Sequence, residues 1–211
     1  MANVADGHRQ RVTAPGAPRW PLRWLPTWLC PGRGRAPGTR PGSAAAGERL
    51  VLRDGSAVLI RQVRPCDAPL VTDGFARLSA RSRRMRFLYA KGKLSAADLR
   101  YLTDVDHYDH EALGALDHSG GRGVGVARYV RDTADPRSAE IAVTIVDDWQ
   151  GRELATELLA RLSERARAAG IRRFTALVAE DNAAMAGVLR KLCADRVGRG
   201  GGTVDYEITL A

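Results

Sequence analysis

The stretch AEIAVTIVDDWQGRELA, residues 139–155, decides the fold. Its first eight residues alternate in character, with Glu140 on the face opposite Ile141, as in a strand whose two faces differ. After a short polar loop, apolar residues recur every four positions and Gly170 follows as a cap, which predicts a helix over residues 151–169. A strand that leads into a helix N-terminus suits an anion, because free backbone N–H groups and the helix dipole face the loop.

Strand and helix patterns continue on both sides of this stretch. Upstream, two strands flank the turn dipeptide Asp54-Gly55, and Asp67 is expected to cap the first of three short helices. Met85, Leu88 and Tyr89 are expected to form the buried stripe of the second helix. The expected bounds are 50–53 and 57–63 for the first strands, 67–78, 79 onward and 96–102 for the helices, 112–116 and 123–130 for the next strands, then strand 174–179, helix 183–192 and two strands around 198–202.

Residues 1–48 differ in composition from the rest of the chain. They hold seven arginines against two acidic residues, a net charge of +5, whereas residues 49–211 carry only +4 of the total of +9. Most of the prolines also lie in this segment and apolar periodicity is weak, so it cannot bury enough surface to offset the entropy of ordering. The sequence predicts a disordered basic Pro/Gly/Arg-rich tail over residues 1–48 and one folded domain over residues 49–211.

Three tryptophans, Trp20, Trp24 and Trp28, follow one another in the tail at a spacing of four. Such a cluster can dock on an anionic membrane surface or on a partner protein. Pro21 and Pro26 disfavour the helix that would align the three rings, which favours the alternative of a partly collapsed linker.

The composition is that of a globular protein in a reducing compartment, and we expect a cytoplasmic location. Hydrophobic residues make up 45% of the chain and charged residues 27%, and no run approaches the roughly 18 apolar residues of a membrane helix. Three cysteines lie far apart, with the spacing of neither a disulfide framework nor a metal site. His107, His110 and His118 match no common metal site, so we expect them at the surface and expect no metal. The alternative for His110 is that it lines the acceptor cleft.

The loop and the helix that follows it resemble the acyl-CoA loop of the GNAT superfamily of N-acetyltransferases. The pattern of that loop is Q/R-x-x-G-x-G/A, and residues 150–155 read QGRELA. Downstream, residues 180–185 (EDNAAM) are similar to the E-N-x-x-M/A element that flanks the pantetheine arm of CoA in this family. Within the superfamily the chain is most similar to the bacterial protein lysine acetyltransferase type, on LRDGS (52–56), IRQVR (60–64), LSARS (78–82) with Arg86-Phe87, and GVARY (125–129).

The resemblance covers residues 49–211 and implies a fold, an acyl donor and a set of site residues. The implied fold is the α/β (α+β) GNAT fold, a mixed, mostly antiparallel central sheet of six to seven strands flanked by helices. Acetyl-CoA is the implied donor, and Glu140 is at the position of the general base, although an edge-strand glutamate paired with an arginine would give the same pattern. Asn182 either contacts the pantetheine arm or caps the helix at 183. The implied CoA-binding residues are Thr144, Ile145 and Val146 through their backbones, then Gln150, Gly151, Arg152, Glu153, Leu154 and Ala155, and Asn182.

Three positions depart from the pattern of the family. Glu153 replaces the first glycine of the loop, and a carboxylate about 4 Å from a phosphate would cost roughly one to three decades of affinity. The alternative is that Glu153 lies in the first helical turn, favours the helix dipole and points to solvent. Leu189 and Cys193 stand where many relatives have a proton-donating tyrosine and a helix-ending glycine.

These observations favour transfer of an acetyl group to a primary amine, with a protein lysine as the first choice of acceptor. A small-molecule amine or amino acid is the second, because acceptor loops vary most within a fold. The departures at Glu153 and Leu189 keep open a non-catalytic acyl-CoA-binding module. Nucleic-acid binding is disfavoured, because the folded part has neither a recognisable motif nor ordered aromatic residues. The sequence leaves the oligomeric state open.

Overall fold

The computed structural model describes residues 47–119 and 121–210. The strands in this part of the chain are β1 (Glu48–Val51), β2 (Ala57–Gln62), β3 (His110–Asp117), β4 (Gly123–Arg131), β5 (Ser138–Ile145), β6 (Arg173–Ala179), β7 (Asp195–Gly200) and β8 (Thr203–Thr209). The α-helices are α1 (Ala68–Ala76), α2 (Ala80–Phe87), α3 (Ala96–Thr103), α4 (Leu154–Ala168) and α5 (Ala183–Lys191).

All the described strands belong to one sheet with the order β1-β2-β3-β4-β5-β6-β8-β7. Neighbouring strands are antiparallel except β5 and β6, so the predicted mixed, mostly antiparallel sheet is confirmed. The sheet has eight strands rather than six to seven, because the first hairpin and the terminal pair both join it. Residues 1–46, with the three tryptophans, lie outside the described residues, and Glu48 begins β1.

One face of the sheet is covered by α4, and we call it the α4 face. Leu154, Leu158 and Leu162 are buried, as their four-residue spacing predicts. Leu154 and Leu158 pack towards Gly125 of β4, where an added Cβ atom would lie 3.4 Å from Leu154 Cδ2 and from Leu158 Cδ1. The apolar stripe of α4 therefore forms the core together with this side of the central strands.

The opposite face of the sheet carries α1, α2 and α3, and we call it the α1–α3 face. Because side chains alternate along a strand, Glu140 and Thr144 of β5 lie on this face, as does Arg128 of β4, which pairs with Ala142. The Arg128 guanidinium donates to the Leu102 carbonyl oxygen at 3.0 Å and so ties α3 to the sheet. Polar side chains that strand alternation placed away from the core therefore lie under a second layer of helices.

The helix after β5 begins at Leu154, three residues later than predicted. Gly151 has φ 76° and Glu153 has φ 67°, and such left-handed backbone is incompatible with the interior of a right-handed helix. At the other end the prediction is confirmed, since Gly170, with φ 81°, follows α4 directly.

Two expectations for the upstream helices are wrong. Asp67 precedes α1, but its carboxylate makes no cap bond and instead accepts two hydrogen bonds of 2.6 Å from Arg61 and one of 2.8 Å from the Arg64 N–H. Tyr89 is 49% exposed and lies beyond α2, because the helix ends at Phe87 and Leu88 turns into left-handed backbone. None of the described helices is both long enough and apolar enough to cross a membrane.

Candidate active site

The most distinctive feature of the sheet is the gap that opens between β5 and β6. The two parallel strands pair over only three residues, Ser138–Glu140 with Arg173–Thr175, whereas β5 pairs with β4 along residues 139–145. Beyond Glu140 the far edge of β5 therefore faces an opening. An open strand edge can accept an extended ligand as if it were another strand.

The backbone of β5 has a definite polarity at this gap. The Val146 N–H donates to the Val124 carbonyl oxygen at 3.0 Å, on the β4 side. Because successive residues of a strand direct their backbone groups to alternate sides, Thr144 also faces β4, whereas Val143 and Ile145 face the gap. Of the three residues expected to pair with CoA through their backbones, Thr144 and Val146 therefore face β4, and only Ile145 faces the gap. The Gln150 amide donates to the Ile145 carbonyl oxygen at 3.1 Å, so the loop after the strand is fastened to this same edge.

The loop between β5 and α4 is held by side chains on both sides. After a 3-10 turn over Asp147–Trp149, Gly151 adopts left-handed backbone. The Arg152 guanidinium lies 4.7 Å from the Trp149 ring centre, donates to the Asp148 carbonyl oxygen at 2.7 Å and pairs with Asp54 at 2.8 Å. Arg152 thus fixes the loop to the turn of the first hairpin, and its charge is partly compensated.

Glu153 has a different environment from either of the two expected. It precedes the helix, and its carboxylate is 25% exposed and pairs with Lys191 Nζ at 2.6 Å and Arg53 Nε at 2.8 Å. The hydrogen bond from Lys191 lowers the pKa of Glu153, slight burial opposes the shift, and the charges of Arg53 and Lys191 add to it. The expectation that Glu153 points to solvent from the first helical turn is therefore wrong, and its negative charge is compensated by two cations.

Glu140 lies at the point where β5 and β6 part. It is half-buried on the α1–α3 face, beside Val130 of β4 and Thr175 of β6 in the two ladders. Its carboxylate interacts electrostatically with the guanidinium of Arg86 from α2. Burial lowers the pKa of Arg86 to about 10, and the charges of Tyr101 and Glu140 oppose that shift.

Three further positions named from the sequence lie in or beside α5. The Asn182 Oδ1 atom accepts from the Met185 N–H at 3.1 Å, so the capping role of Asn182 is present, and its contact with CoA stays a prediction. Leu189 is fully buried in the core. Cys193, beyond the helix, has φ 54°, a backbone conformation that suits the glycine expected there.

The sequence did not single out the arginines that line a cavity on the α1–α3 face. Arg61, Arg86 and Arg128 all contribute to its wall, and Arg128 is almost completely buried. The signal was an arginine within the otherwise apolar run GVGVARYV, residues 123–130. His110, expected at the surface, instead accepts a hydrogen bond from Arg128 at 3.1 Å, and no group of three potential metal ligands occurs among the described residues.

Comparison with known proteins identifies the family. The family described as "Acetyltransferase (GNAT) domain" matches residues 57–193. The chain is 32% identical over 159 residues to Acetyltransferase Pat of Mycolicibacterium smegmatis, covering 75% of this chain and 47% of Pat, and 37% identical over 155 residues to Acetyltransferase PA5475 of Pseudomonas aeruginosa, covering 72% and 81%. It thus spans about half the length of Pat.

A solved structure agrees with this assignment. The GNAT domain of S. lividans PAT superposes with a TM-score of 0.74 at 31% identity, covering 78% of this chain and 97% of that domain. The residues matched by the family, 57–193, include the strand, loop and helix described above. The chain belongs to the GNAT family of acetyltransferases, enzymes that take the acyl group from acetyl-CoA.

Proposed function

We propose that this chain transfers the acetyl group of acetyl-CoA to the side-chain amine of a protein lysine, with Glu140 as the general base. The observation that carries the proposal is the position of Glu140 as the last residue of β5 paired with β6. Its carboxylate is thus at the start of the gap in which the acyl donor would lie. Relatives named Acetyltransferase Pat and S. lividans PAT support this class of reaction.

The proposed donor site runs along the gap edge of β5 and into the loop. Val143 and Ile145 pair through their backbones with the amides of the pantetheine arm, and Thr144 and Val146 contribute to the wall beside the thioester. The pyrophosphate lies against the N–H groups of residues 150–155, where the positive end of the α4 dipole attracts it. Asn182 is near the pantetheine arm.

The proposed reaction is direct attack of the amine on the thioester. A lysine amine with an ordinary pKa of about 10.4 is protonated at neutral pH, so Glu140 first accepts a proton from it. The nitrogen then forms a bond to the carbonyl carbon, and a backbone N–H of the gap edge stabilises the oxyanion. The C–S bond breaks, and the nitrogen loses its second proton to water to give the amide. The CoA thiolate takes a proton from water, because Leu189 stands where relatives have a tyrosine.

The test is a CoA-release assay with the full chain, using lysine-containing proteins and a panel of small amines as acceptors. We expect Glu140→Gln to lower kcat by about 10²–10⁴-fold. We also expect it to remove the acidic limb of the pH-rate profile, along which the rate rises with pH as the carboxylate ionises. Glu164→Gln, the same change at an exposed position of α4, is the matched control. An unchanged kcat and pH-rate profile in Glu140→Gln would exclude Glu140 as the base.

The same assay separates the other two functions considered. A mass increase on a protein lysine supports the proposal, whereas turnover with small amines alone indicates a small-molecule acetyltransferase. Binding of acetyl-CoA without CoA release for any acceptor indicates a non-catalytic acyl-CoA-binding domain. Thermal shift with acetyl-CoA measures the binding independently of turnover.

A further inference from the structure

A cavity of about 100 Å³ lies between the α1–α3 face and the helices that cover it. Thr144 and Val146, at the end of β5, form part of its wall, so it adjoins the strand segment proposed to hold the thioester. One water needs about 10–15 Å³ of such space, so the cavity has room for a group of several heavy atoms. Most of its wall is apolar, and the exceptions include three arginines, Arg61, Arg86 and Arg128.

The three arginines differ in how their charges are compensated. Arg61 pairs with Asp67 through two hydrogen bonds of 2.6 Å. Arg86 is coupled electrostatically to Glu140. Arg128 has only uncharged partners, since it donates to His110 Nε2 at 3.1 Å and to the Leu102 carbonyl oxygen at 3.0 Å.

Arg128 therefore carries a buried charge that the rest of the described chain leaves without a counter-ion. It is only 3% exposed, and no carboxylate within residues 47–119 or 121–210 forms an ion pair with it. Burial first, and the neighbouring Arg86 guanidinium second, lower the pKa of Arg128 to about 9, with Tyr101 opposing. A buried guanidinium is unfavourable unless an anion pairs with it, so the missing negative charge is expected to come from a ligand.

We infer that Arg128 binds a carboxylate of the substrate inside this cavity. The carboxylate belongs either to the free end of a dicarboxylic acyl group on CoA or to the acceptor, next to the amine. In the β4–β5 ladder Arg128 pairs with Ala142, midway between the pairs that contain Glu140 and Thr144, so either source brings the carboxylate close to the reacting groups. The inference rests on the transfer site of the proposed function, because it takes the cavity as part of that site. It assigns a different substrate to the site, either a dicarboxylic acyl group in place of acetyl or a free amino acid in place of a protein lysine.

The donor arm of the test compares succinyl-CoA with butyryl-CoA, which have the same number of acyl carbons but differ in the terminal carboxylate. Calorimetry with the full chain gives the Kd of each. If the donor supplies the carboxylate, succinyl-CoA binds the wild type at least about tenfold more tightly than butyryl-CoA, as expected for a charge-assisted pair in a buried site.

The acceptor arm compares free lysine with lysinamide, which differ in the α-carboxylate. If the acceptor supplies the carboxylate, the wild type binds lysine at least about tenfold more tightly than lysinamide in the presence of CoA. With acetyl-CoA as donor, the same preference appears in KM rather than in kcat, because the carboxylate positions the amine and takes no part in the chemistry.

Two variants connect the preference to Arg128. Arg128→Met keeps the length and apolar volume of the side chain, and it is expected to abolish the preference while Arg128→Lys retains part of it. Arg100→Met, at an exposed position of α3, removes one positive charge outside the cavity and is the matched control. It is expected to retain the full preference, which separates binding at Arg128 from general attraction of anions.

The outcomes distinguish this inference from the proposed function. A carboxylate preference that depends on Arg128, without CoA release, supports the inference and contradicts the proposed reaction. Acetyl transfer without a carboxylate preference in either arm overturns the inference and leaves the reaction standing. The wild-type comparisons decide this even if Arg128→Met fails to fold, and a preference that survives in a folded Arg128→Met also overturns the inference.

Discussion

Each face of the sheet holds one deeply buried charged side chain, Glu111 on the α4 face and Arg128 on the α1–α3 face, and the two charges are compensated differently. On the α4 face, Glu111 is 1% exposed and accepts hydrogen bonds from Gln62 at 3.0 Å, Arg165 at 3.1 Å and the Ala112 N–H at 2.9 Å, with His107 Nδ1 at 2.7 Å. On the α1–α3 face, Arg128 is equally buried but bonds only to uncharged groups. The Glu111 carboxylate is therefore compensated without a ligand, whereas the Arg128 guanidinium lacks a counter-ion among the described residues. In the proposed function, substrate binding belongs to the α1–α3 face, whereas the α4 face contributes to structural stability.

The largest expected difference between the faces is in packing. Leu158 of α4 is fully buried, so Leu158→Ala removes core contacts and leaves a cavity, at a cost of about 2–5 kcal/mol in the free energy of unfolding. Leu70 of α1 is half-buried at the wall of the existing cavity, so Leu70→Ala is expected to cost less. Urea denaturation of both variants measures the difference, and equal losses would contradict the division of roles between the faces.

The second prediction concerns acid sensitivity of the α1–α3 face. Burial, aided by the charge of Arg128, lowers the pKa of His110 from 6.5 to about 4. The unfolded chain binds this proton first as the pH falls, so the contribution is fully present above pH 6.5 and is lost on the way to about pH 4. The loss amounts to about 3 kcal/mol of unfolding free energy.

His110→Gln is the test of that contribution, because glutamine retains an acceptor for Arg128 but does not titrate. The variant is expected to show a flatter dependence of stability on pH between 6.5 and 4 than the wild type. His118→Gln, at an exposed position, is the matched control and is expected to follow the wild type. Identical curves for wild type and His110→Gln would show that His110 does not titrate as a buried group.

The third prediction places the acid sensitivity of the α4 face at lower pH. Burial by itself raises the pKa of Glu111, but hydrogen bonds from His107 and Gln62, together with the charges of His107 and Arg165, lower it below 4.5. Its contribution is therefore present above pH 4.5 and is lost as the pH falls through the lowered value. Glu111→Gln should cost about 1–3 kcal/mol at neutral pH and flatten the curve only below pH 4.5. If the stability curve of Glu111→Gln were flatter than that of the wild type already near pH 6.5, the acid sensitivity of the α4 face would come from a group other than Glu111.

The parts of this molecule that the sequence predicted are those with a local period. The four-residue repeat of α4 and the alternation of β5 each reflect burial against one partner, so the pattern along the chain already contains the contact. The resemblance to a family added the expectation of a donor site around residues 150–155. The contacts between charged side chains have no such local signal, because the partners are distant in the sequence. Arg128 bonds to His110 of β3, and Glu153 bonds to Lys191 of α5.

Backbone conformation was the other missing element. Glu153 and Cys193 both occupy left-handed backbone, which neither side chain indicates by itself. The only signal for it was that the family pattern has glycine at both positions. The error in the start of α4 followed directly, because a glutamate before a leucine repeat is typical of a first helical turn. The ion pairs from Arg53 and Lys191 supply the physical reason that a glutamate is tolerated here.

The smallest expected effect concerns Glu153, in the loop between β5 and α4. Glu153→Gly relieves the left-handed strain and releases Arg53 and Lys191, two cations close to the proposed pyrophosphate site. We expect acetyl-CoA to bind up to about tenfold more tightly, since the carboxylate no longer competes with phosphate for them. Because the charge of Glu153 is already compensated, the gain should be at the lower end of the range for an unpaired carboxylate.

A second substitution separates charge from backbone in that prediction. Glu153→Gln removes the charge but keeps a Cβ atom in left-handed backbone, so it should tighten acetyl-CoA binding like glycine without raising the melting temperature in the absence of ligand. Calorimetry at low and high salt measures the Kd values, and the gain should shrink at high salt, where phosphate–cation attraction is screened. Unchanged or weaker binding in both variants would mean that Arg53 and Lys191 hold the loop rather than the phosphates.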